Sequence, residues 1–207
     1  MTTALLSVLD RTLVFAERAA RAAIWFGGAL LLAAAFLVSF DVLARKILGV
    51  TMGGADELSG YAFAIGTTWA LAFTMLHRAN VRVDALYSLL PARVCAVLDV
   101  IALVALGAFV SLLTWHSALV LETSVAFAAR ATTPLQTPLW IPQSLWVAGF
   151  VLFLLTLVPL LLRATLALFA GDLATVRSLA GARSVAEDAA EEVAQRKPGQ
   201  RASGEGA

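Results

Sequence analysis

Little in this 207-residue chain can ionise or hold a metal. It has one cysteine, two histidines and only 14% Asp, Glu, Lys and Arg, where an average soluble domain carries about 25% charged residues. A single sulfur, Cys95, can build neither an internal disulfide nor a thiolate cluster, so packing is its expected role. With 15 basic and 14 acidic residues the net charge is +1, too small for a nucleic-acid-binding surface. Metalloprotease HExxH, the GxSxG nucleophile turn, a phosphate-binding glycine loop and DNA-reading motifs are all missing. No internal repeat stands out, which leaves an inverted-repeat transporter core within this chain unsupported. Catalytic, cofactor-binding and metal sites are therefore not expected.

What the chain has in excess is apolar surface: 60% of its residues are hydrophobic, against about 45–50% in soluble domains. Residues 1–21 and 164–207 hold 16 of the 29 charged side chains, leaving 13 in the 142 residues between. This pattern predicts an all-α integral membrane protein.

A hydrocarbon core of about 30 Å needs about 20 predominantly apolar helical residues. Four stretches qualify, at about 22–44, 58–76, 94–121 and 139–162. Pro91 suits the first turn of the third helix, where a missing N–H costs nothing. The fourth follows the turn-forming TTPLQTP at 132–138; Pro142 lies in its first turn, and Pro159 is expected to end or kink it. With the N-terminus inside, twelve Lys and Arg residues are cytoplasmic and three, Arg45, Lys46 and Arg130, are outside. Excluding five in the distal tail leaves seven against three, so both termini are expected in the cytoplasm.

The membrane domain of 22–163 is flanked by two accessory ends. Leu5, Leu9, Leu13 and Ala16 recur at helical spacing beside Arg11, Arg18 and Arg21. Residues 1–21 thus read as an amphipathic interfacial segment, or as an N-terminal extension of the first span. Charges at Asp10, Arg11, Glu17, Arg18 and Arg21 interrupt any signal-peptide core, so this stretch is expected to be retained. Residues 164–207 read as a cytoplasmic charged tail, with a transient helix in ARSVAEDAAEEVAQRK and disorder beyond it.

Ionisable groups at span ends are the candidates for function, because burying them costs several kcal/mol, about 3 or more, without water or a partner. Asp41 and Arg45 share a helix face, and Glu57 opens the next span at the same outer level. They can form an interhelical cluster or reach water separately. Asp99 and Glu122 read as interface groups. His77 and His116 invite a haem reading, but His116 lies 23 residues beyond Arg93, about 34 Å along the third helix. One iron cannot join them. The inner loop HRANVRVDALYSLLPAR, 77–93, alternates charge with apolar residues and can lie against the membrane or a partner. In the second span, Gly60/Ala64 and Gly66/Ala70 form small-xxx-small pairs that allow close helix approach. Trp25, Trp115, Trp140 and Trp146 fit interface anchors, whereas Trp69 lies mid-span with no special role expected.

Four segments together, FDVLARKILG at 40–49, DELSGYAFAIGTTWALAF at 56–73, HRANVRVDALYSLLP at 77–91 and TPLWIPQSLW at 137–146, resemble the small membrane subunit of tripartite ATP-independent periplasmic (TRAP) transporters, the DctQ-like family. The resemblance covers about residues 22–163. In that family His is usually followed directly by Val/Ile-x-Val-Asp, whereas here Arg78, Ala79 and Asn80 intervene. A role fixed by the spacing of His77 and Asp84 is not carried over. The resemblance implies a multi-pass protein of the bacterial inner membrane that scaffolds a large permease subunit. That partner carries out sodium-coupled uptake of an organic acid delivered by a periplasmic solute-binding receptor. It also implies that Asp41, Arg45, Glu57, His77, Arg82 and Asp84 make structural, lipid or subunit contacts without catalytic duty. Membrane lipids are further partners, nucleic acid is not, and no cofactor is implied. Two other readings stay open: a haem-bearing membrane anchor of a redox complex, and a small proton-coupled exporter using Asp41 or Glu57.

Overall fold

The structure is a computed structural model that describes residues 2–78 and 90–181, with side chains from Ser7 onward. Among the described residues it is helical throughout, in the order α1 (Thr2–Leu48), α2 (Ala55–Leu76), α3 (Ala92–Ala126), α4 (Trp140–Phe169) and α5 (Leu173–Ala180). A single antiparallel bridge, Arg130 with Pro138, closes the loop between α3 and α4.

α1 is one uninterrupted helix of 47 residues, about 70 Å long. Its continuity has a reason in the sequence. Leu9, Ala16, Ala20, Ala23, Gly27 and Asp41 are buried and recur at helical spacing, so one face stays in phase from the amphipathic stretch through the span. The stretch read as an interfacial segment forms the first turns of α1. There Leu13 packs against the main core and Asp10 accepts from Arg163 of α4 at 3.3 Å.

α4 occupies the centre, touching α1, α2, α3 and α5. Its buried Phe150, Phe153, Leu157, Leu160 and Ala164 alternate three and four residues apart and form the core with Met75, Leu103 and Val110. α3 contributes Leu103 and Val110 to this core, while its buried Ala96 packs with Ala167 and Val176 in a second, smaller cluster. Its opposite face, with Ile101, Val104, Phe109, Leu112 and Trp115, is exposed.

Close approaches replace bulk where α2 meets its neighbours. A Cβ added to Gly27 would stand 3.0 Å from the Gly66 carbonyl oxygen, and one on Gly149 would stand 2.5 Å from Thr68 Oγ1. Of the two small-residue pairs in α2, the Gly66 pair therefore meets α1 inside the chain, whereas Gly60 faces open space. Trp69, expected to lack a special role, ties three helices together. Its Nε1 donates to the Leu145 carbonyl at 2.8 Å and its ring lies 4.9 Å from that of Phe26.

Three helices, α1, α3 and α4, are long and apolar enough to cross a membrane. α2 is less apolar because Ser59, Thr67, Thr68 and Thr74 fall within it. Those hydroxyls are spent internally: Thr67 donates to Phe63 at 2.8 Å, Thr68 to Ile65 at 3.0 Å and Thr74 to Leu71 at 2.8 Å. Pro159 does not end α4, which runs ten residues further to Phe169. Leu157, Leu160 and Ala164 on either side of it are buried in a helix that α1, α2, α3 and α5 all touch, so tertiary contacts hold a helix that Pro alone would weaken. Past the expected boundary at 163, residues 164–169 continue α4 and 173–180 form α5, with Val176 fully buried beneath α3 and α4. The transient helix expected in 182–197 and the segment after it lie outside the described residues.

Candidate functional site

Charged and hydrogen-bonding groups gather at the two ends of the bundle. At the end where α1 passes into α2, Gly49 and Gly53 turn the chain with φ of 68° and 69°, a backbone region that favours glycine. Asp41, about two turns before the end of α1, is 2% exposed. Its carboxylate accepts from Arg45 at 2.6 Å, from the Thr51 hydroxyl at 3.0 Å and from the Met52 backbone N–H at 2.7 Å. One buried carboxylate thus satisfies donors from its own helix and from the loop that follows.

Glu57, in the first turn of α2, works on a different loop. It accepts from Tyr61 Oη at 2.8 Å and from the Thr133 hydroxyl in the α3–α4 connection. That connection is held by Ala131 N–H donating to the Thr137 carbonyl at 3.0 Å and Leu139 N–H to the Ala129 carbonyl at 3.0 Å. Its Leu135 side chain seats directly over Gly54, where no Cβ could fit.

Asp41, Arg45 and Glu57 therefore line one cleft of about 220 Å³ with Thr51, Asp56 and Thr133. The charges separate into two nodes within it. Among the described residues, the ion pair of Arg45 is with Asp41 of its own helix, while Glu57 is held by hydroxyls.

At the opposite end, His77 caps α2. Its ring lies 4.0 Å from that of Phe73, and its Nε2 is buried with no hydrogen-bond partner among the described residues. Arg78, at φ 52°, reaches across to donate to the Arg177 carbonyl of α5 at 3.2 Å. Asp99, read from sequence as an interface group, is instead 2% exposed. It lines a cavity of about 190 Å³ with Cys95, Leu173 and Arg177. Burial there follows from α5, which covers this face of α3. Arg82 and Asp84 lie outside the described residues.

α5 is the part of this end that the sequence reading missed. Its signal was present: Asp172 caps the helix by accepting the Thr175 N–H at 3.0 Å, and Leu173, Val176 and Ala180 repeat at helical spacing. The Thr175 hydroxyl, then its backbone N–H, hold the Asp172 carboxyl below the usual carboxylate range.

No group of three or more His, Cys, Asp or Glu residues able to hold a metal occurs among the described residues. The arrangement fixes loops to helix ends and leaves long apolar faces outward. Neither curated proteins nor solved structures yield a match to the chain. The family profile of the DctQ component of tripartite ATP-independent periplasmic transporters matches residues 34–167, from the middle of α1 almost to the end of α4 and more than half of the chain, and the protein belongs to that family.

Proposed function

We propose that this chain is the scaffold for a large permease subunit in sodium-coupled uptake of an organic acid, delivered by a periplasmic solute-binding receptor. The family match over residues 34–167 carries the reading. A chain whose charged side chains are engaged in holding loops, and whose apolar faces on α1 and α3 are uncovered, is suited to support a neighbour.

In this reading α2 crosses the membrane as well, as the second of four spans, with both termini in the cytoplasm of a bacterial inner membrane. Its 22 residues extend about 33 Å, enough for the hydrocarbon core, and its hydroxyls already have acceptors. The seven-to-three excess of Lys and Arg on alternate connections supports the orientation. Asp41, Arg45 and Glu57 then hold the periplasmic loops, while His77, Arg82 and Asp84 belong to the cytoplasmic end that meets lipid or the large subunit.

Reconstitution tests this. Proteoliposomes holding the chain with its large permease subunit should take up the organic acid when given receptor and a sodium gradient, and vesicles with this chain alone should take up none. Uptake by the chain alone, or failure of the two membrane proteins to copurify, would overturn the scaffold reading. Cysteines placed at 133 and 135 should react with an impermeant thiol reagent added outside intact cells.

A further inference from the structure

Between α1 and α2, at the His77 end, runs a groove of about 700 Å³ lined by Arg21, Ile24, Trp25, Gly28, Leu32 and Phe73, with His77 at its head. Nothing in its position is used by the outer loop anchors. Its chemistry changes along its length. Arg21 and His77 stand at one end, and beyond them the lining is apolar.

Arg21 to Leu32 spans eleven residues of α1, about 17 Å of helix, close to the half-thickness of a hydrocarbon core of about 30 Å. The groove thus has the length of one leaflet, with its cationic end where a headgroup would lie. We propose that it seats one anionic phospholipid, its phosphate against Arg21 and His77 and an acyl chain along Ile24, Gly28, Leu32 and Phe73.

Charge and hydrogen bonding argue for this occupant. Glu17 takes one Arg21 nitrogen at 2.9 Å, which leaves most of the guanidinium's five N–H donors for a phosphate. Among the described residues the His77 Nε2 is buried without a hydrogen-bond partner while His77 lines the head of the groove, so a turn of the ring would meet its unmet demand with a phosphate oxygen there. Trp25 is 76% exposed beside the head, as an indole at the headgroup level would be. Gly28 keeps the trough open: a Cβ there meets nothing within 4 Å.

That open space supplies a clean test, since Gly28→Leu fills the trough with a better helix former whose Cβ meets nothing within 4 Å. Full-length chain, alone and in complex with its large subunit, is exposed to phosphatidylglycerol and phosphatidylcholine of equal chain length, and retained lipid is read by native mass spectrometry. Wild type should retain one phosphatidylglycerol in preference to phosphatidylcholine. Arg21→Gln should lower phosphatidylglycerol retention about fivefold, the worth of one cation near an anionic surface. Gly28→Leu should lower retention of both lipids about tenfold by displacing roughly two methylenes, with helix content and melting not reduced. Equal retention of the two lipids by wild type, or wild-type retention by both variants, would overturn the proposal. So would a cross-link from Ala29→Cys to a protein in the membrane complex, which would show a polypeptide in the groove.

Discussion

The Asp41 carboxylate accepts the Met52 backbone N–H at 2.7 Å, and this bond fixes where the chain leaves α1 and enters α2. Because Thr51 and Arg45 donate to the same group, no single neutral side chain can replace it. Asp41→Ala should strip the Met52 amide of its protection from hydrogen exchange while the Leu157 amide in the central core keeps its own. Asp41→Asn should give an intermediate result, since one acceptor oxygen remains and the charge is gone.

The two outer nodes should behave as separate units. A double-mutant cycle of Thr133→Val with Glu57→Gln should be strongly non-additive, because the two side chains share a hydrogen bond. The cycle of Arg45→Ala with Glu57→Gln should be closer to additive, since Arg45 is paired with Asp41. Thermal midpoints of the four proteins in each cycle decide it, and the reverse order of couplings would mean that the cleft is one network.

Glycine substitutions should divide sharply by place. Gly149→Val forces a side chain against Thr68 and Trp69, and overpacking of this kind costs about 1–3 kcal/mol. Gly60→Ala meets nothing within 4 Å and should stabilise by a few tenths to about 1 kcal/mol through helix propensity. Unfolding in mixed micelles compares the two.

Trp69→Phe keeps the ring beside Phe26 but deletes the donor to the Leu145 carbonyl. Interhelical hydrogen bonds in membrane proteins average about 0.6 kcal/mol and reach about 1.7, so a loss within that range is expected. A larger loss would mean that the indole also packs in a way phenyl cannot reproduce.

Docking of α5 should respond to acid through its cap. Asp172 is held below the usual carboxylate range by the Thr175 hydroxyl and N–H. A group whose folded pKa is depressed contributes stability that is fully present above its unfolded value, about 3.9, and is lost as pH falls through the lower folded value. Hydrogen exchange of residues 173–180 should therefore be constant near neutrality and rise, relative to α4, only under strong acidification. Asp172→Asn, still a competent cap, should flatten that pH response.

Periodicity made most of the helical framework legible. The repeats of Ala16, Ala20, Ala23 and Gly27 in α1 and of Phe150, Phe153, Leu157 and Leu160 in α4 are visible in the chain, and each became a buried stripe. Helix ends were harder to place. Pro159 reads locally as a break, yet the helix passes through it because its neighbours hold both sides. α5 is capped and amphipathic in sequence but only eight residues long, too short to hold as an isolated helix, so its place depends on the helices that cover Val176 and Ala180.

By itself, the sequence determined what depends on composition and local spacing: a lipid-compatible helical protein, the chain turns, the family, and the residues carrying charge at span ends. Tertiary structure alone decided which partner each charge has. Arg45 could have reached Glu57 but bonds Asp41, Glu57 meets Thr133 across 76 positions of chain, and Asp99 is buried under a helix that begins 74 residues later. Such pairings depend on which helices pack side by side. Here that is set by glycines thin enough for close approach and by one indole hydrogen bond, features whose effect exists only once the helices meet.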